Sequence, residues 1–169
     1  PLFCSEGTRC EMRKRLGTAL GAVLFLFAAL WLLLRPHLFV AAPDRLLVIL
    51  PAEAGMEFST RFLHSVQKTP VEEFFAVDDA RRGFILFRTR YQSFGVGLPF
   101  LAADGTFRSE DGRFLMEDMN RPFPRLALRP GVGTELTLTV GDASYRLHEL
   151  VPPGALIQLY IAPYYRRWL

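Results

Sequence analysis

Residues 56–67 read MEFSTRFLHSVQ, and their alternation decides the fold class. Met56, Phe58, Thr60, Phe62, His64 and Val66 fall on one face, and Glu57, Ser59, Arg61, Ser65 and Gln67 on the other. A period of two with one apolar and one polar face is what a half-buried strand imposes. Downstream, Val71–Val77 carries apolar groups on both faces through Phe74 and Phe75, as a central strand does. Phe84–Phe94 alternates again, with Ile85, Phe87, Thr89 and Tyr91 opposed to Arg88, Arg90 and Gln92.

Working outward, further strands are predicted at Leu46–Leu50, Phe114–Met116, Leu126–Leu128, Glu135–Val140, Tyr145–Leu150 and Leu156–Ile161. Turn signals separate them: Asp104-Gly105, Asp111-Gly112, Pro130-Gly131 and Pro152-Pro153-Gly154, with Gly141-Asp142 set as a two-residue hairpin loop. No segment after residue 43 carries a capped helical period. Short strands at this spacing predict an all-β domain over 45–169, either a small antiparallel β-sandwich or a partly open barrel.

Towards the N-terminus the pattern changes. Leu16–Leu34, LGTALGAVLFLFAALWLLL, holds no charge and as a helix spans about 28 Å, the thickness of a bilayer core. Residues 16–34 are therefore predicted as one transmembrane helix, 1–15 as a cytoplasmic segment and 35–44, between Pro36 and Pro43, as a short stiff linker. A cleavable signal peptide is the rival, but its apolar core is shorter and ends at a small-residue site, which Pro43 spoils after Ala41-Ala42. Met12 followed by RKR reads as a natural start, so residues 1–11 read as an extension or cloning remnant. Both cysteines, Cys4 and Cys10, lie there, leaving the β domain to a hydrophobic core without disulfides.

The chain has 50% hydrophobic and 22% charged residues, too apolar for intrinsic disorder, and a net charge of +3. That charge is local. Arg9, Arg13, Lys14, Arg15 and Arg35 against Glu6 and Glu11 supply all of it, and residues 44–169 are neutral. Arg13, Lys14 and Arg15 precede the apolar run and only Arg35 follows, so the N-terminus is predicted cytoplasmic and the β domain external, in the periplasm of a bacterial inner-membrane protein. A neutral external domain excludes nucleic acid as a partner and leaves the lipid bilayer as one. Gly17 and Gly21 form a small-xxx-small pair for helix association, although such residues are common in membrane helices. The closing PYYRRWL mixes aromatics with arginines, a composition suited to a headgroup region beside the anchor.

Candidate chemistry concentrates in His64–Glu73, HSVQKTPVEE. On a strand His64 and Ser65 point to opposite faces and form no catalytic dyad, and Gly-x-Ser-x-Gly is absent. The ordinary role for His64 is a buried imidazole satisfied by a neighbour such as Glu72 or a backbone carbonyl. Lys68 is the lone lysine among fourteen arginines after residue 43; it either pairs with Glu72 or Glu73 or stands on a solvated turn. Glu72 and Glu73 face opposite sides and are no paired-carboxylate site. Arg90 and Ser93 lead into Gly95 and Gly97, a loop able to receive an anion or a partner's backbone, or simply a strand-ending turn. His37, His64 and His148 show no metal-ligand spacing, so neither metal nor cofactor is implied.

These residues carry a resemblance. RFLHSVQKTPVEEFFAV followed by RTRYQSFGVGLP resembles the bacterial family known as domain of unknown function 1850, whose members show a His-Ser-x-x-Lys-Thr-Pro-Val-Glu block and a Ser-Phe-Gly-x-Gly-Leu-Pro block. Here they are His64, Ser65, Lys68, Thr69, Pro70, Val71 and Glu72, then Ser93, Phe94, Gly95, Gly97, Leu98 and Pro99; Met119–Arg129 resembles a third block. The resemblance implies association with TAXI-type tripartite ATP-independent periplasmic (TRAP) transporters and no established activity. The expectation is thus an accessory subunit, not an enzyme, that contacts the transporter's membrane subunit and, through the motif face, the TAXI periplasmic solute-binding protein. The alternative is a ligand-sensing domain in which Lys68, Arg90 and the Gly95–Gly97 loop hold a small anionic solute.

Overall fold

The computed structural model describes residues 6–93, 103 and 105–168. They divide into two compact units, one joining the N-terminal helix to the C-terminal segment and the other spanning Pro36–Ala162.

In the first unit, helix α1 (Glu6–Leu34) contains a 20-residue stretch, Arg15–Leu34, with a mean hydropathy of 2.3 and no buried fraction. A helix apolar all round and buried by nothing is long and greasy enough to cross a membrane. At its C-terminal end the Arg35 guanidinium lies 3.9 Å from the Trp31 ring. The chain's last described residues, Tyr164–Trp168, form a 3-10 turn in the same unit; the Tyr164 amide donates to the Arg35 carbonyl (3.0 Å), and Tyr164 and Trp168 meet edge to face at 5.6 Å. The aromatic and arginine-rich tail is therefore gathered at the end of the helix.

The second unit is built from antiparallel strands: β1 (Pro36–Ala41), β2 (Leu46–Pro51), β3 (Glu57–Leu63), β4 (Pro70–Val77), β5 (Phe84–Tyr91) and β6 (Thr106–Glu110). After these come β7 (Arg113–Glu117), β8 (Arg121–Phe123), β9 (Leu126–Leu128), β10 (Thr137–Val140), β11 (Ala143–Tyr145), the one-turn helix α2 (Leu147–Leu150) and β12 (Ile157–Pro163). One sheet runs β2-β1-β12-β9 and the other β11-β10-β3-β4-β5-β7-β6, with β8 also paired to β5. Leu38, Val40, Ile157 and Leu159 from the first sheet join Phe58, Phe75, Leu86, Met116 and Leu138 from the second in one buried cluster, so the predicted all-β domain is a sandwich.

Several predicted elements are corrected. Residues 35–44 are no linker: β1 occupies Pro36–Ala41, between β2 and β12, with Leu38, Phe39 and Val40 buried. Pro36 is tolerated because it starts the strand, where one missing donor costs least. The strand beginning at Met56 stops at Leu63, and residues 64–67 turn away from the sheet. Tyr145–Leu150 is mostly helix α2, which turns Leu147 into the core. In β5 the phase predicted from alternation slips: Phe84, Leu86, Thr89 and Tyr91 are the buried residues, because a bulge opposite Phe74/Phe75 leaves Phe87 without a register partner on β4. Strands β6 and β8 escape the sequence pattern because one is wholly exposed and the other is three residues around Pro122.

Candidate functional site

The first block of the motif is the β3–β4 connection. The His64 amide donates to the Thr69 carbonyl (2.9 Å) and the Lys68 amide to the His64 carbonyl (2.9 Å), closing a turn in which Lys68 takes φ 56°. His64 Nδ1 accepts from the Gln67 amide at 3.2 Å and from the Val66 amide at 3.4 Å. Through these two contacts His64 caps its own turn. Its Nδ1 is satisfied by its own turn and not by Glu72, which the arginines of the sheet engage. Ser65, Val66, Gln67 and Lys68 are exposed, Val66 at 76%. Lys68 has no carboxylate partner among the described residues.

Beyond the turn, Pro70 opens β4, and the motif continues across the outer face of the large sheet. Registers place Thr137, Arg61, Glu72, Arg90, Leu115 and Arg108 in one cross-strand row. Glu72 stands between two arginines: Arg90 Nε donates to its Oε2 at 2.8 Å with Nη2 on the same oxygen, and Arg61 Nε lies 3.7 Å from its Oε1. The two motif blocks meet again where the hydroxyls of Thr69 and Ser93 bond at 2.9 Å. Thus Thr69, Pro70, Glu72, Arg90 and Ser93 are brought together, whereas His64, Ser65 and Lys68 belong to the adjoining turn. Gly95 and Gly97 lie outside the described residues. Gly17 and Gly21 have open surroundings, no atom coming within 4 Å of a Cβ built on either.

On the neighbouring outer row Arg88 lies over the Phe74 ring, 4.1 Å from its centroid. Arg88 Nε is buried without a hydrogen-bond partner among the described residues. Beside it opens a cleft of ≈ 540 Å³ lined by Phe74, Arg88, Arg90 and Leu115, with Arg113, Glu110 and Asp111 from the β6–β7 hairpin. Sequence reasoning missed Arg88 and Arg113. Only the spacing of Arg88 and Arg90, two residues apart on one strand face, hinted at the former, and the latter needed the hairpin to fold over.

On the inner face, Glu73 stands between the fully buried Thr60 and Thr89 in the strand registers, and Thr60 Oγ1 donates to Glu73 Oε2 at 3.3 Å. Desolvation raises the Glu73 carboxyl above its ordinary range, opposed by the Thr60 hydrogen bond and the positive charge of Arg121. Burial likewise raises the Tyr91 hydroxyl. Glu72 and Glu73 do face opposite sides, as the strand period requires.

A family model described as a domain of unknown function, DUF1850, matches residues 58–147, more than half of the chain. The chain belongs to the DUF1850 family. The match runs from β3 into α2 and so contains the His64–Lys68 turn, the Glu72–Arg90 pair and the cleft beside Arg88. Strands β1, β2 and β12, which complete the sandwich around this DUF1850 region, lie outside it. No curated protein and no solved structure matches the chain.

Proposed function

We propose that the chain is a membrane-anchored accessory subunit of a TAXI-type TRAP transporter, with α1 in the bacterial inner membrane, its N-terminus in the cytoplasm and the β domain in the periplasm. It has no catalytic step of its own; it works by contact. The observation that carries this reading is the exposure of the turn within the motif, residues 65–68. Ser65, Val66, Gln67 and Lys68 project from a hydrogen-bonded turn instead of filling the core. An apolar side chain held 76% exposed at the tip of a hydrogen-bonded turn suits contact with a partner protein, here the periplasmic solute-binding protein. The open faces of Gly17 and Gly21 suit close approach of a transporter helix.

Copurification from mild detergent tests the reading. The wild-type chain should bring down the transporter's membrane subunit, and Val66→Asp should lose the binding protein while keeping the membrane subunit. A chain that never retains the membrane subunit overturns the proposal.

A further inference from the structure

We infer that the cleft between β5 and the β6–β7 hairpin is a binding site for a small organic carboxylate, held by Arg88 and Arg113 over a floor of Phe74 and Leu115. The inference does not depend on the transporter assignment, since a sensing or a solute-handling subunit would use the site equally.

Charge pairing singles out these arginines. On the same face Arg61 and Arg90 share Glu72, and Arg108 lies 3.5 Å from Glu117. Arg88 and Arg113 have no carboxylate partner among the described residues, although both line the cleft. Leaving a buried guanidinium N–H without an acceptor is costly, and among the described residues Arg88 Nε has none. Arg88 also lines the cleft, where the planar fork of its guanidinium matches the two oxygens of an entering carboxylate.

The surroundings hold Arg88 ready. Its guanidinium is stacked 4.1 Å from the Phe74 ring centroid and lies 5.7 Å from that of Phe87, which restrains the long side chain before any ligand arrives. Arg88 and Arg90 leave the strand on the same face about 7 Å apart, two residues at roughly 3.4 Å each. Because Glu72 already engages Arg90, a ligand meets Arg88 on β5 and Arg113 on the hairpin as its two open cations. A volume of ≈ 540 Å³ lies in the range of small-molecule sites and far exceeds a lone inorganic anion. Glu110 and Asp111, at the hairpin tip, set negative charge against the cations and favour a ligand of low total charge over a polyanion.

The test uses the full chain in detergent micelles, with succinate as the probe and sodium chloride at matched ionic strength as the control. Succinate should raise the melting temperature of the wild type beyond the chloride control, and calorimetry should register binding. Arg113→Gln, on the exposed hairpin, should weaken that binding at least tenfold, as should Arg88→Met, while Arg108→Gln should leave it unchanged. Should Arg88→Met fail to fold, Arg113→Gln decides alone. No succinate effect beyond chloride overturns the inference, as does wild-type affinity in Arg113→Gln or an equal loss in Arg108→Gln.

Discussion

Glu73 is the residue at which the sandwich works against its own hydration. Its carboxyl faces inward between two threonines that are fully buried, and Thr60 donates a side-chain hydrogen bond to it. Because burial holds its folded pKa above the ordinary 4.5, the folded chain binds that proton more tightly than the unfolded one. Stability therefore falls as pH rises from that value through the raised one, and the full cost persists above it. Glu73→Gln should accordingly melt at a higher temperature than wild type at pH 7.5, with the difference shrinking to nothing below pH ~4.5, where both states of the wild type are protonated. Melting curves across pH decide; a Gln variant less stable at neutral pH would show that Thr60 and Arg121 more than compensate the charge. The glutamate's face was legible from strand parity, since Glu72 and Glu73 must diverge. Its two threonine neighbours were not, because they come from β3 and β5 and meet only through register.

At the scale of elements, the β6–β7 hairpin shapes the cleft. Asp111 and Gly112 take φ 50° and 71°, the left-handed pair of a two-residue loop whose twist matches the strands. Gly105, entering β6, takes φ 152°, and a Cβ there would lie 2.2 Å from the Glu117 carbonyl oxygen at the end of β7. Gly105→Ala should therefore cost about 2–4 kcal/mol, because backbone must move. Gly112→Ala meets nothing within 4 Å and should cost only about 1 kcal/mol, for the left-handed backbone alone. Urea unfolding of both variants checks this, and equal losses would exclude the steric contact as the cause. Strand β1 shows the complementary case. Leu38-Phe39-Val40 has no alternation because both faces of the strand are covered there, Phe39 stacking on Tyr160 of β12, and the apolar run of residues 38–42 between two prolines therefore reads as a linker.

Over the whole molecule, Arg13, Lys14 and Arg15 before one apolar helix against Arg35 alone after it imply a direction, and the proposed orientation can be tested directly. Val132 is 84% exposed on a loop of the β domain. With Cys4 and Cys10 replaced by serine, Val132→Cys should react with a membrane-impermeant maleimide in intact spheroplasts; labelling only after lysis would reverse the topology. The sequence alone determined the apolar helix, the all-β class and the family, because each rests on local periodicity or on contiguous residues that need no partner to be read. Tertiary structure decided which motif residues act together. It made His64 a cap for its own turn and let Arg61 and Arg90 claim Glu72, leaving Arg88 and Arg113 facing one cleft. Those outcomes follow from strand register, one bulge and a folded hairpin, which bring Arg61 of β3 and Arg90 of β5 to the same carboxylate of β4. No local pattern encodes such long-range pairing, because the register that sets it depends on how whole strands pack.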